Sequence, residues 1–388
     1  MADPRPAPAR AEGALPSPAH IDRRLAQMLA ADSARTGAGK TARLMLMLTR
    51  SCELRCAYCF VALREDEYGT PHDDVRASGG VLPGEIPRGD LSVATARRAV
   101  DRLMTSARPQ LGLQLFGGEP SRRWDTLVAA VDHAATHPDR AGRALEILLT
   151  TNGLGLDAAR LAELRGLPIV VQLSLDGWGA ANRFRRPHLV PDDEAARRWS
   201  TIAETLSASG HRWFLNVTVP PAAAPEVLAR YHEARAMGVP ALQLNYATGM
   251  RWSPDTFYAW LGGLAAVLRH DAADPGPMAL YNWQNGADPA PLCGDTICDV
   301  DGTLLQVGAI FHEKRFPALR AAYHHGHLDG AEPFDTHRAT LADLWARTRA
   351  ALSTEDAEVF HQGMRLGAGQ DLVARVVTAE VGRPPFRG

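Results

Sequence analysis

From Leu44 onward the sequence repeats one alternation six times. A short apolar run is followed by a longer stretch whose apolar residues fall on one helical stripe. The runs are Leu44–Thr49, Leu111–Phe116, Leu145–Thr150, Ile169–Leu175, Trp213–Val219 and Ala241–Asn245. Near-continuous apolar strands of this length suit parallel strands covered on both faces. Between and after them the periodicity predicts helices over Ser92–Ser106, Asp125–His137, Asp157–Leu164, Asp192–Ser207, Pro225–Met237 and Trp252–His270. In the first, Ala96, Val100, Leu103 and Met104 share a stripe and Ser92 is placed to cap. Six consecutive βα units predict an α/β fold, a partial (β/α)6 TIM-like barrel. In such barrels chemistry sits at the C-terminal ends of the strands, so those ends carry the functional information.

The first strand end reads Thr49-Arg50-Ser51-Cys52-Glu53-Leu54-Arg55-Cys56-Ala57-Tyr58-Cys59-Phe60, with the spacing Cys-x3-Cys-x2-Cys. Thiolates this close can wrap one compact centre, and soft sulfur favours iron–sulfur clusters or zinc. A structural zinc wants four protein ligands, and here there are three. Three readings stay open on the spacing: buried apolar cysteines, a zinc site completed by a distant histidine, and a cubane cluster with one open iron.

Composition narrows the class. At 388 residues the chain can hold one large α/β domain and a smaller one. A net charge of −2 gives no footprint for nucleic acid. The other cysteines are Cys293 and Cys298; five in this arrangement do not read as a disulfide framework, and a cytoplasmic, reducing setting is expected. No run suggests a signal peptide or a bilayer span, so no membrane partner is expected. Met1 to about Pro18 reads as a disordered tail, followed by a short helix over Ile21–Ala31. The charged, Gly/Pro-rich segment Leu63–Asp90 breaks the alternation, and reads as either a lid over the first strand end or a disordered insertion.

The later strand ends read Phe116-Gly117-Gly118-Glu119-Pro120, Thr150-Thr151-Asn152-Gly153 and Ser174-Leu175-Asp176-Gly177. Each alone is an ordinary strand-to-turn transition. Together with the cysteine triplet, in this order, they resemble the radical S-adenosylmethionine (radical SAM) superfamily, and within it the peptide-modifying members that include sulfatase maturases. The resemblance covers roughly Leu44 to Asn245. It implies a [4Fe-4S] cluster on Cys52, Cys56 and Cys59, with S-adenosyl-L-methionine (SAM) chelating the open iron. It further implies Tyr58 beside the adenine, and Gly117, Gly118 and Glu119 around the methionine ammonium. Asn152 and Ser174 are implied as SAM contacts, Ser174 at the ribose, and Arg198 (or Arg197) as the arginine on the SAM carboxylate. Asp176 reads as structural; the Asn182–Arg186 run holds the kind of arginine used on carboxylates, with most of it read as solvated surface; Asn245 and Tyr246 read as substrate or SAM contacts.

Beyond Asn245, Pro291-Leu292-Cys293-Gly294 and Asp299-Val300-Asp301-Gly302 look like the start of the auxiliary-cluster domain called SPASM or, when shorter, twitch. Val307 stands where that domain carries a cysteine, and no cysteine follows Cys298. A two-cysteine site completed by His312, His324 or His325 is one option; a degenerate domain without a cluster is the main reading. The expected organisation is a tail over 1–40, the barrel over 41–275 and a SPASM/twitch-like region over 276–388.

By the same resemblance the reduced cluster cleaves SAM to a 5′-deoxyadenosyl radical, which abstracts hydrogen from a substrate. A ribosomally made precursor peptide is expected, with cross-linking or epimerisation as outcomes. Cys293 and Cys298 are candidate hydrogen donors for the latter, against a reading as small buried residues. About forty residues ahead of the barrel are too few for a leader-binding domain. A flavodoxin or ferredoxin is the expected electron donor. The alternatives are a small-metabolite substrate, such as a sugar or amino acid, and, from another class, a zinc-stabilised binding protein.

Overall fold

A computed structural model describes residues 15–34, 40–61, 86, 87, 89–178, 182–283, 291–310, 312–337 and 339–382. Most of the Leu63–Asp90 segment and of the N-terminal tail lie outside these residues.

Six parallel strands form the centre: β1 (Thr41–Met47), β3 (Gln110–Phe116), β4 (Ala144–Thr151), β5 (Ile169–Ser174), β7 (Arg212–Val219) and β8 (Ala241–Tyr246). They follow one another in chain order across the sheet, each paired parallel with the next. Two three-residue strands, β2 (Leu54–Cys56) and β6 (Arg185–Pro187), make a separate antiparallel ribbon. The helices between the central strands are α2 (Val93–Met104), α3 (Trp124–Thr136), α4 (Ala158–Glu163), α5 (Asp192–Ser209) and α6 (Val227–Ala236), with α7 (Pro254–Ala273) after β8.

Local chemistry sets the boundaries. Ser92, Asp157 and Ser253 each accept a backbone N–H at the start of a helix. The stretch expected as one helix from Pro225 begins instead as a 3-10 turn over Pro221–Glu226, and α6 starts at Val227. Prolines at 221 and 225 lack the N–H that an α-helical ladder needs. Strand β1 ends two residues before Thr49, because Thr49 bridges to Asp90.

The remaining chain joins the same sheet. Strand β9 (Ala279–Leu280) extends the β8 edge. Strand β10 (Thr296–Cys298) pairs parallel with β1, and β11 (Thr303–Gln306) and β12 (His324–His327) continue outward as antiparallel strands. A 28-residue helix over Thr354–Val381, which the sequence reading did not anticipate, packs against α7. It also meets the first helix, α1 (Pro18–Ala34), through an Arg24–Asp371 ion pair of 2.5 Å. No described helix is long and apolar enough to cross a membrane.

Candidate active site

A cavity of about 330 Å³ opens at the C-terminal ends of the central strands. Cys52, Cys56 and Cys59 line it, all three free thiols and half-buried. Tyr58, Gly117, Gly118, Glu119, Asn152 and Ser174 line it as well. The sequence-predicted residues therefore converge from four strand ends that are far apart in the chain.

The glycine pair lets two stretches of backbone meet. Gly118 N–H donates to Thr49 O at 2.7 Å, and Glu119 N–H to Ser51 O at 2.8 Å. A Cβ at Gly117 would lie 2.5 Å from Thr49 O, and one at Gly118 would lie 2.3 Å from Ser51 O. The two glycines let the end of β3 press directly on the loop that carries Cys52. Glu119 is likewise occupied within the protein. Its carboxylate accepts from Ser121 N–H, from Thr151 Oγ1 at 2.7 Å and from Asn152 N–H at 2.7 Å, tying the ends of β3 and β4. Burial, and then the neighbouring Glu53, push its carboxyl up to about 7. Asn152 Nδ2 lies 3.2 Å from Glu53 Oε1 and 3.8 Å from Cys52 Sγ. Glu53 is a buried neighbour of the first cysteine that the sequence reading passed over.

The second cysteine belongs to a buried polar knot. In the β2–β6 ribbon Cys56 stands opposite Arg185, whose Nη1 lies 3.9 Å from Cys56 Sγ. Arg185 Nε is 3.1 Å from Asp176 Oδ1, and its guanidinium lies over the Tyr58 ring. Tyr58 Oη donates to Asp176 Oδ2, and Thr218 N–H to Oδ1. Burial holds the Tyr58 phenol well above its usual range. Asp176 is thus saturated by neighbours and fixes the cysteine loop to β5 and β7. In the Asn182–Arg186 run, expected to be mostly solvated, Arg185 is the arginine that binds a carboxylate; it is 7% exposed and lines the cavity.

Three predicted residues are not brought here. Arg198 does not line the cavity: it donates to Leu154 O at 2.9 Å, pairs with Glu194 one helical turn away, and keeps 47% of its side chain exposed. Cys293 lines a different cavity at the N-terminal ends of β1, β3 and β4. Cys298 is fully buried beside Asp299, with burial pushing its thiol up. Geometry therefore does not support either thiol as a donor into this cavity. Among the described residues no group of ligand atoms joins Cys293 or Cys298 to a histidine. The His312 ring packs on Phe360 at 4.6 Å, and His325 Nε2 lies 3.4 Å from Thr296 Oγ1.

The triplet's donor set fits a cluster. All three cysteines are free thiols lining one cavity. A structural zinc would want a fourth protein ligand, and no histidine is among the described residues that line this cavity. Soft thiolates alone suit an iron–sulfur centre. Elsewhere among the described residues Asp101, His133 and His137 bring three ligand atoms within 4.8 Å of one another. There His137 Nδ1 accepts Asp139 N–H at 3.1 Å, so its Nε2 carries a proton toward Asp101 and the trio reads as hydrogen-bonded. The Cys52 thiol is raised by burial, then by Glu119 and Glu53, so a bare thiolate there is disfavoured and a cationic centre would relieve it.

The cysteine loop is also fastened to the C-terminal region. Arg50 lies 2.7 Å from Asp299 and 2.6 Å from Glu313, and Arg320 closes the square at 2.6 and 2.8 Å. Lys314, next in the chain, donates to Cys59 O at 3.4 Å.

No protein-family model matches the chain. It is 30% identical to the GTP 3′,8-cyclase of Corynebacterium glutamicum over 343 residues, 79% of this chain and 80% of that protein. It is 23% identical to the radical SAM cyclopropyl synthase TigE of Paramaledivibacter caminithermalis over 146 residues; that match covers 36% of this chain and 28% of the relative's length. Among solved structures, native anSMEcpe with bound AdoMet superposes with a TM-score of 0.58 at 15% identity, covering 82% of each chain. SuiB bound to precursor peptide SuiA gives 0.51 at 12% identity, covering 88% of this chain and 74% of that one. At such identities these structures speak for the fold.

Proposed function

The chain belongs to the radical SAM superfamily, and on that premise we propose that it modifies a ribosomally made precursor peptide by cross-linking or epimerisation. It is an enzyme that works with a [4Fe-4S] cluster and SAM. In this reading Cys52, Cys56 and Cys59 would hold the cluster, and the cavity they line would take SAM. When bound, the two cofactors supply a 5′-deoxyadenosyl radical that takes a hydrogen atom from the substrate. The chain's own residues bind and orient. Gly117 and Gly118 seat β3 against the cysteine loop; Ser174 and Gln172 line the cavity as SAM partners, and Asn152, whose amide is held by Glu53 and Leu154 N–H, shapes the wall beside Cys52. Phe60, Phe116 and Tyr246 keep water from the reacting carbon. The region over 276–388 is read as a cluster-free relative of the SPASM/twitch domain.

The observation that carries the peptide reading is the charge of the cavity wall. Of its described lining residues only Glu119 and Arg185 are charged, and Arg185 is held by Asp176. Gln114, Thr150, Gln172, Asn216 and Asn245 offer neutral hydrogen-bonding groups, which suit amide backbone. Two proteins of this fold support the same reading by what they hold: anSMEcpe with a Kp18Cys peptide and SuiB with SuiA. A small-metabolite substrate is the second reading, favoured by the likeness to a GTP 3′,8-cyclase. A nucleoside triphosphate, however, needs cations, and among the described lining residues Arg185, already held by Asp176, is the one cation.

The test is to sequence the gene's neighbourhood for a short precursor peptide and to incubate that peptide anaerobically with the reconstituted enzyme, SAM and a reductant. A mass change in the peptide, or deuterium uptake from solvent at one residue, with 5′-deoxyadenosine formed alongside, is the expected result. An unmodified peptide, with turnover on a small metabolite instead, would overturn the peptide reading.

A further inference from the structure

We propose that the lower half of the barrel lumen is a binding site for a free α-amino acid with an apolar side chain. The site is the cavity of about 450 Å³ at the N-terminal ends of β1, β3 and β4. Gln114 is the one described residue that it shares with the cavity of the cysteines.

Strand register builds the site. Residues two apart on a strand share a face, so Gly112 lies on the face of Gln114, one rung lower. Gly112 is paired with Arg43 of β1 on one side and with Glu146 of β4 on the other. The three stand on one rung of the sheet, and the middle one has no side chain. Arg43 and Glu146 both line the cavity, two strand spacings apart, roughly 9–10 Å at the backbone. Both are exposed, and neither side chain has an ion-pair or hydrogen-bond partner among the described residues.

This rung departs from the usual filling of a barrel, whose inward layers are mainly Val, Ile and Leu. The other half of the sheet keeps to it. There Val170, Phe214 and Ala241 form a small apolar cluster, with Leu148 packed against it. Leu148 also lines the cavity, so the cluster borders it. Met45 lines it too, on the rung shared by Gln114 and Leu148. The cavity thus has an apolar wall deep inside and two unpartnered opposite charges one rung nearer its mouth. A few placed polar groups on an apolar wall make a small-ligand site. An unfilled, charged rung in a barrel is a local rule broken, as happens where a site is kept for function.

The arrangement selects the ligand. Arg43 offers a planar fork of donors to a carboxylate. Glu146 accepts hydrogen bonds from an ammonium. Gly112 between them lets the ligand's backbone come close to the strand. The ligand's side chain then meets Met45 and Leu148, one rung deeper. Asp295 lines the cavity as well, so two carboxylates face one guanidinium and an acidic ligand is disfavoured. Gln114 donates to Thr150 Oγ1 at 3.0 Å and forms the partition between this site and the cysteine cavity. Binding is reversible and forms no covalent bond.

The test is equilibrium dialysis of the reconstituted full chain against radiolabelled leucine, with and without saturating SAM. One leucine per chain is expected, with the same affinity in both conditions. Unlabelled N-acetyl-leucine, which lacks the ammonium, and leucinamide, which lacks the carboxylate, should each compete about tenfold more weakly than leucine, and glutamate should compete poorly. Arg43→Gln should bind leucine about tenfold more weakly and no longer prefer it to leucinamide. Glu146→Gln should show the same loss and no longer prefer leucine to N-acetyl-leucine. Both variants should keep the wild-type iron content and melting temperature, since each change replaces an exposed charge by an amide. No bound leucine at millimolar concentration overturns the proposal. So does an unchanged affinity in either variant, and so does glutamate competing as well as leucine. Displacement of leucine by SAM overturns it too, by placing the leucine in the cysteine cavity.

Discussion

Arg50 and Asp299 lie 2.7 Å apart with 3% and 0% of their side chains exposed, joining the first cysteine loop to the far end of the chain through a pair that water does not reach. Removing Arg50 leaves two buried carboxylates, Asp299 and Glu313, to share the single cation of Arg320. Arg50→Met is therefore expected to cost about 3–5 kcal/mol of stability. Urea unfolding of the variant and wild type reads this directly, and the variant should also load less iron.

The cysteine triplet makes a stoichiometric prediction. Anaerobic reconstitution should give about four irons per chain, and the Cys52→Ala/Cys56→Ala/Cys59→Ala variant should retain none. Two to four irons surviving in the variant would mean that the region over 276–388 holds a second cluster.

Gly118→Ala tests the contact between strand ends. Its new methyl would meet the Ser51 carbonyl at 2.3 Å, so the loop bearing Cys52 must shift. Iron content and SAM cleavage should fall together while helix content, followed by far-ultraviolet circular dichroism, stays near wild type. Normal iron loading in this variant would show that the loop tolerates the shift.

Tyr58→Phe removes a hydroxyl that donates to the Asp176 carboxylate. A bond to a charged group of this kind contributes roughly 1.5–3 kcal/mol. The expected outcome is a loss of stability in that range, with the cluster's electron paramagnetic resonance signal altered because the phenol belongs to the knot around Cys56.

His312 supplies a pH dependence. Its ring is buried against Phe360 and Phe316, neither nitrogen is hydrogen-bonded among the described residues, and burial, then Arg315, lower its pKa from 6.5 to about 3. Between those values only the unfolded chain takes the proton, so stability is full above about pH 6.5 and falls as pH drops below it. The slope is at most about 1.4 kcal/mol per pH unit. Replacing His312 with Leu should flatten that part of a Tm-against-pH curve; an unchanged slope would assign it to other groups.

The six central strands were legible to within three residues at each end, because strands buried on both faces leave uninterrupted apolar runs. The site was legible where it is built from motifs at those ends. What escaped was pairing over long range. Nothing in Thr296–Cys298 announces that it will lie beside β1, since a three-residue strand has no period to read. Arg185 was hidden in a run of arginines, and only the alternation of a ribbon turns it inward while Arg186 turns out. The glycine pair was visible, but its contact is with Thr49 and Ser51, a relation of tertiary structure.

The square of charges around Arg50 also sets an order of events during synthesis. Asp299 follows Arg50 by 249 residues. At 5–20 residues per second the ribosome needs roughly ten seconds to a minute to deliver it. Until then the first cysteine loop lacks its anchor, although all three thiols have already left the exit tunnel. Metal insertion should therefore await release of the nearly complete polypeptide, and a nascent chain stalled before Asp299 should present its thiols to solvent as reactive, unassembled groups.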